Sequence, residues 1–296
     1  MISQLTLFGD LFVPAPLRKA GSTVINVATV PQRSPFRYAG GKTWAIPIVR
    51  KWLQQDGNPV SLLVEPFAGG GIVSVTAAAE NLANQVEMVE LDSEVAAVWK
   101  TILGSDNAWL IDRILTFNLS LENVKNELAK PEKTIRHIAF CTILKNRVNH
   151  GGILAPGVGM LKVGEKGKGI ASRWYPETLA KRIAEIELIS NKIEPIEGDG
   201  FETIIRHIAN PLCYFFIDPP YVVAGKRLYT HFDINHAHLF ELTATLIGRF
   251  LLTYDDTPEV RNLAEKYNLL HTTVPMKTTH HVEKREVLIS DNFDWL

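Results

Sequence analysis

The sharpest chemical signal in the chain is four residues at the end of an apolar run, Asp218-Pro219-Pro220-Tyr221. The run Leu212–Ile217 has strand length, so the tetrapeptide reads as a loop at a strand end. An exocyclic amine on an aromatic base has its lone pair delocalised into the ring. Two acceptors on its two N–H bonds draw the nitrogen toward tetrahedral geometry and free that pair to attack a methyl donor. The Asp218 carboxylate supplies one acceptor and the Pro219 carbonyl can supply the other. The prolines stiffen the loop and bring no competing backbone N–H, while Tyr221 gives a flat face for a base that has left its stack.

A second constellation is Glu65-Pro66-Phe67-Ala68-Gly69-Gly70-Gly71 after the apolar stretch that starts at Ser61. A glycine turn between strand and helix lets backbone approach a ligand closely and aims helix N–H groups into that space. The next strand, Val86 to Leu91, holds Glu90, with Asp92 just beyond. An acid roughly 20 residues past such a turn suits the two hydroxyls of a ribose, because a carboxylate accepts two hydrogen bonds. The plainer readings are a tight βα loop and a solvated acid at a strand end. The turn lacks G-x-G-x-x-G, and Glu65 at the strand end would repel a pyrophosphate and suit a cation.

Positioning these groups requires a parallel sheet. Strand, glycine turn, helix and strand over 61–91 form a βαβ unit. The α/β pattern resumes at Ile193–Ile196, runs into Gly198-Asp199-Gly200-Phe201, and continues with the apolar run before Asp218. A helix over His236–Ile247, a strand over Phe250–Tyr254 and a helix from Thr257 follow. Thr257-Pro258-Glu259 supplies a cap, a first-turn proline and an early acid. Strands are expected near Leu269–Val274 and Glu286–Ile289.

Between about 100 and 190 the patterning is helical and the charge lopsided. From Lys133 to Arg182 there are ten Lys/Arg against Glu165 and Glu177, a local balance of +8 in a chain of net charge -1. A chain so neutral overall is no general polycation, so any nucleic-acid contact must come from this patch. The division expected is an extension over 1–33, an α/β domain over 34–102 and 190–296, and a helical insertion over 103–189.

The motifs Phe36-Arg37-Tyr38-Ala39-Gly40-Gly41-Lys42, Glu65 to Gly71 and Asp218 to Tyr221, with Lys284–Ile289 near the end, occur in an order that resembles the DNA adenine methylase (Dam) family of adenine-N6 methyltransferases. The resemblance spans about 35–290. It implies a Rossmann-like class I methyltransferase fold, a mostly parallel seven-stranded sheet with helices on both faces and an inserted helical target-recognition domain. It implies S-adenosylmethionine as cofactor and double-stranded DNA as partner, with the adenine flipped out before methylation. Carried over residue by residue, it places Tyr38 and Lys42 beside the cofactor pocket, and Glu65, Phe67, Gly69 and Gly71 in the cofactor turn. Glu90 falls at the ribose acid with Asp92 as runner-up, Asp199 and Phe201 receive the cofactor adenine, and Asp218 to Tyr221 form the catalytic loop. Asn146-Arg147 resembles part of a segment near the DNA, although Val148 to Ile153 departs from the commoner pattern. With Lys145, Lys162, Lys166 and Arg173 these make the expected DNA-contacting set. Gln4-Leu5-Thr6-Leu7-Phe8 resembles the peptide by which replication proteins dock on a sliding clamp, against which stands an apolar tail that packs on its own domain.

Other chemistries fit less well. Gly40-Gly41-Lys42-Thr43 imitates the tail of a P-loop, but Phe36 stands where glycine is required. Cys141 and Cys213 read as buried small hydrophobes, which disfavours covalent methylation of cytosine. The histidines, including His280-His281 and His236-x-His238, have no partner acids spaced for a metal. Two isolated cysteines suggest a reducing cytosol; no apolar run is long enough to span a membrane, and the first residues lack the features of a secretory signal. An RNA adenine methyltransferase could share the catalytic loop. A glutamine methyltransferase usually has Asn at the place of Asp218, and a noncatalytic clamp- or DNA-binding module would not need Asp218 and Glu90.

Overall fold

The computed structural model describes residues 30–37, 40–131, 134–221, 233–277 and 283–296. Tyr38, the clamp-like Gln4–Phe8 and the rest of the expected extension up to 29 lie outside the described residues.

Seven strands form one sheet in the order β3-β2-β1-β4-β5-β7-β6. They are β1 (Val60–Glu65), β2 (Ala83–Glu90), β3 (Ile193–Glu197), β4 (Cys213–Ile217), β5 (Arg249–Asp255), β6 (Leu270–Lys277) and β7 (Glu283–Ser290). The first five run parallel to one another. Strand β7 enters antiparallel between β5 and β6.

Alternation along the strands makes the two-sided core. Leu63, Tyr214, Phe216, Leu251 and Leu288 belong to one hydrophobic cluster. Val64, Phe215, Ile217, Leu252 and Ile289 belong to the other. Successive side chains of a strand point to opposite faces, so apolar residues at both parities require cover on both sides. On the first face lie α1 (Ile46–Leu53), α2 (Ile72–Ala79) and α3 (Ser93–Leu103). The second is covered by α8 (Gly200–His207), α9 (His236–Ala244) and α10 (Pro258–Lys266). This is the Rossmann-like class I methyltransferase fold.

Between β2 and β3 the chain adds α4 (Asn107–Thr116), α5 (Leu121–Leu128), α6 (Ile135–Val148) and α7 (Pro176–Glu187). Their buried Leu110, Ile114, Val124, Phe140, Ile143 and Ile183 join the same cluster as Leu63 and Trp99. This helical stretch therefore shares its core with one sheet face.

The strand order reverses between β1 and β4, and a crevice opens beyond the carboxyl ends of strands at such a point. Local caps fix the helices that surround it. The Asp92 side chain accepts from the Glu94 N–H at 2.9 Å to start α3. The Asp199 side chain accepts from the Phe201 N–H at 2.8 Å to start α8, and Thr257 caps α10 as its sequence signature predicts.

Candidate active site

The glycine bend is built from β1 outward. Gly71 ends it with φ 59°, in the left-handed region that an ordinary residue adopts at a cost. A Cβ there would also come within 2.6 Å of Trp99 Cζ2. The Trp99 indole N–H donates to the Gly69 carbonyl at 2.9 Å. From the neighbouring strand, Glu90 accepts from the Gly69 N–H and from the Asp92 N–H, both at 2.8 Å. Glu90 therefore shapes the bend and still borders the cavity beside it.

Glu65, buried at the end of β1, accepts from the backbone N–H of Ser74 at 2.9 Å and from its hydroxyl. Burial pushes its carboxyl up to about 8, against the two Ser74 hydrogen bonds. Burial likewise pushes Glu90 up to about 7, with the backbone N–H of Asp92 opposing. Charged carboxylates are costly where solvent is excluded, so both acids favour ligands that donate hydrogen bonds or carry positive charge.

The second half of the site follows β4. The Lys42 ammonium lies 2.8 Å from Asp218 Oδ1 and donates to the Gly40 carbonyl at 3.1 Å. The Thr253 hydroxyl donates to the same Oδ1 at 2.8 Å. Among the described residues no hydrogen bond is recorded to Asp218 Oδ2, which leaves that oxygen able to accept. Tyr221 donates through its hydroxyl to Glu286 Oε2 at 2.8 Å and stacks on Tyr254 with ring centroids 5.5 Å apart. Lys42 Nζ sits 4.7 Å from the Tyr221 ring centroid and 4.0 Å from Glu286 Oε2. Burial raises the Glu286 carboxyl above its ordinary value, with Lys42 pulling the other way. Burial, and then the Asp218 and Glu286 charges, hold the Tyr221 hydroxyl protonated.

One cavity of about 430 Å³ joins the two halves. Its wall includes Lys42, Glu65, Phe67, Gly69, Gly71, Glu90, Asp92, Asp199, Phe201, Asp218 and Pro220. Pro219 and Tyr221 do not line it; Tyr221 stands behind the wall, tied to Glu286. Phe67 meets Phe201 edge-on at 6.0 Å, and Phe201 stacks on His238 at 5.7 Å with the rings nearly parallel. Asp92 and Asp199 border the cavity while their Oδ1 atoms cap α3 and α8, and Glu90 likewise accepts from backbone N–H groups with both its oxygens.

The expected DNA-contacting residues separate. Lys162 and Lys166 are exposed, while Arg173 is ion-paired with Glu165 at 2.6 Å and Lys145 with Glu94 at 2.6 Å. Asn146 and Arg147 do not present themselves to a duplex in this conformation. Asn146 is buried, accepts from the Arg37 N–H at 2.9 Å and donates to the carbonyls of Arg37 and Gly152. Arg147 is buried as well and donates to the Pro35 carbonyl. Net charge per segment places basic residues on a surface by default, and carbonyl acceptors more than 100 positions away override that default.

Thr253, Glu286, Trp99 and His238 are functional-site residues that sequence reasoning missed. Lys284–Ile289 is a recognisable strand, but nothing in its alternation says that its one interior acid turns toward Tyr221. Neither cysteine lines the cavity. Burial pushes the Cys141 thiol up to about 11 and Cys213 up to about 12, so both stay protonated and poorly nucleophilic. Among the described residues no cluster of His, Cys, Asp and Glu could hold a metal, and no helix is long and apolar enough to cross a membrane.

No family model matches the chain, and no curated protein matches it. Solved structures similar to it include a protein from Pyrococcus horikoshii provisionally described as an RNA methyltransferase, at 12% identity over 86% of this chain and 83% of that one, TM-score 0.39. A precorrin-6y C5,15-methyltransferase from Geobacter metallireducens matches at 10% identity over 83% and 86%, TM-score 0.36. A SAM-dependent methyltransferase from Agrobacterium tumefaciens matches at 10% identity over 82% and 60%, TM-score 0.38. At such identity and overlap they carry no argument about activity.

Proposed function

We propose that this chain is an S-adenosylmethionine-dependent methyltransferase acting on the exocyclic N6 of adenine in DNA. The observation that carries the reading is the single cavity that runs from the glycine bend to the Asp218 carboxylate. Its volume lies within the roughly 300–1,000 Å³ of small-molecule sites.

The donor set fits the cofactor. Glu90 accepts from ribose hydroxyls, the glycine bend lets the backbone approach, and Phe67 and Phe201 supply apolar surface. Glu65, raised by burial to about 8, is mostly protonated near pH 7 in the empty site and ionises more readily when a cationic group binds beside it. When bound, S-adenosylmethionine supplies an electrophilic methyl group on a sulfonium.

At the other end Asp218 Oδ2 accepts one N–H of the adenine amine, while Pro219, which does not line the cavity, would reach the second only after the loop shifts. Lys42 and Thr253 hold Oδ1 and so fix the carboxylate plane. The amine is neutral at pH 7, so no base need act before transfer; Asp218 Oδ2 is placed to take the surplus proton afterwards. Catalysis is then positioning and preorganised electrostatics. The helical stretch over 103–189 presents exposed Lys162 and Lys166 to phosphates, supplying affinity rather than sequence choice.

The test is transfer of tritiated methyl groups to duplex DNA and to RNA of the same sequence. Incorporation into DNA supports the reading. Incorporation into RNA alone replaces it with an RNA methyltransferase, and incorporation into neither removes it.

A further inference from the structure

Three guanidinium side chains gather on the four-residue segment 34–37. Arg182 of α7 donates to the Ser34 carbonyl at 3.2 Å, Arg147 of α6 donates to the Pro35 carbonyl, and Arg37 belongs to the segment itself. Asn146 grips the Arg37 backbone at both its N–H and its carbonyl. Arg173 completes the group, with Glu165 as its ion-pair partner at 2.6 Å. Like charges brought together in a partly buried place repel, and the fold tolerates this only with compensation.

The compensation inside the protein is incomplete. Arg147 is only 6% exposed, yet its Nε is buried with no hydrogen-bond partner among the described residues. Burial, then Arg182 and Arg37, lower its ionisation to about 10. Burial, then Arg173, lower that of Arg37, and burial lowers that of Arg182. Carboxylates do not fully balance this cluster: Glu165 acts on Arg173 and Arg37 and Glu185 on Arg182, while among the described residues none offsets Arg147. An external anion would.

We propose that Arg37, Arg173 and Arg182, with the buried Arg147 behind them, form a seat for a phosphodiester group of the nucleic-acid strand whose base enters the cavity. The inference rests on the functional reading above. The segment that carries Arg37 leads directly to Gly40, Gly41 and Lys42, which line the cavity. A nucleotide that swings its base into that cavity leaves its phosphates at the rim, where planar guanidinium forks match phosphate oxygens. A small neutral substrate would have no use for such a cluster.

The test is equilibrium binding of a fluorescent duplex between about 50 and 200 mM salt, the range in which phosphate contacts are read out. The variants are Arg37→Gln/Arg182→Gln and Arg37→Lys/Arg182→Lys, each checked for an unchanged unfolding midpoint. The Gln pair should lower the slope of log K against log salt by about one to two units, since each lost phosphate contact removes about 0.9, and should weaken binding at least tenfold. The Lys pair should keep the slope. An unchanged slope in the Gln pair, or an equal loss in both pairs, overturns the seat in favour of staples for the segment. If the effect appears with duplex RNA and not DNA, the seat stands and the DNA reading fails. A wild-type protein that binds neither duplex overturns the functional reading, and the seat with it, before any variant is made.

Discussion

The Lys42 ammonium lies 2.8 Å from Asp218 Oδ1, and the two residues lie far apart in the sequence. Lys42 is 5% exposed and Asp218 19% exposed. The pair is thus largely desolvated, and each charge depends on the other. Removing one partner of a buried pair costs about 3–5 kcal/mol; the residual exposure of Asp218 argues for the lower end. Lys42→Met should destabilise the protein by about 3 kcal/mol in urea unfolding and cut methyl transfer more than tenfold. A variant with both values near wild type would show that the pair neither stabilises nor positions the carboxylate.

Glu286 reaches Tyr221 from β7, a strand that joins the sheet antiparallel. Glu286→Ala leaves the buried Tyr221 hydroxyl without its acceptor, at a cost of about 1–3 kcal/mol. Tyr221→Phe in the same background should recover part of that loss. A double-mutant cycle should give a coupling of about 1 kcal/mol, whereas strict additivity would mean that the 2.8 Å contact carries no energy.

Two acids impose a pH dependence of definite sign. Glu65 and Glu90 are raised from 4.5 to about 8 and about 7. In the unfolded chain they release protons near pH 4.5, while the folded chain holds them. Stability contributed by these groups therefore falls as pH rises from about 4.5 through 8, and is lost fully above the folded values. A ligand that donates hydroxyls to ionised Glu90 reverses this locally. S-adenosylmethionine affinity should rise with pH between about 6 and 8, with proton release detectable as buffer-dependent heat in calorimetry. Glu90→Gln should weaken binding and flatten the curve around pH 7; a wild-type affinity that falls with pH would remove Glu90 from the ribose site.

Gly71 tests the bend itself. Gly71→Ala places a left-handed backbone under about 1–2 kcal/mol of strain and drives a methyl into Trp99. The expected loss is roughly 2–4 kcal/mol, with altered Trp99 fluorescence and weaker S-adenosylmethionine binding. A neutral result would show that the bend relaxes freely and does not shape the cavity.

What the sequence disclosed was local. Glycine after a strand, an acid at the next strand end and Asp218-Pro219-Pro220-Tyr221 after an apolar run are short-range signals. A parallel sheet then brings their ends together, because successive strands must point the same way. Thr257 before Pro258 marked its helix start, although the helix from His236 ends at Ala244, short of the expected Ile247. What stayed hidden was long-range. Glu286 and Thr253 meet the loop of Asp218 and Tyr221 only through β7 and β5, 65 and 35 positions on. Arg147 carries the same charge as the exposed Lys162, and nothing local tells the buried staple from the solvated cation. The expectation of a helical insertion over 103–189 came from helical patterning, charge and the family resemblance, and local sequence did not disclose that the helices there share the core that covers one sheet face.

The central claim is that Asp218 makes the N6 amine of adenine the nucleophile. The most direct measurement is nucleoside analysis of duplex DNA after incubation with labelled S-adenosylmethionine, for the wild-type protein and for Asp218→Ala. The wild type should place its label in N6-methyldeoxyadenosine, and Asp218→Ala should fall below about a tenth of that rate while still binding duplex. Label in a methylated cytosine, or undiminished transfer by Asp218→Ala, would contradict the account.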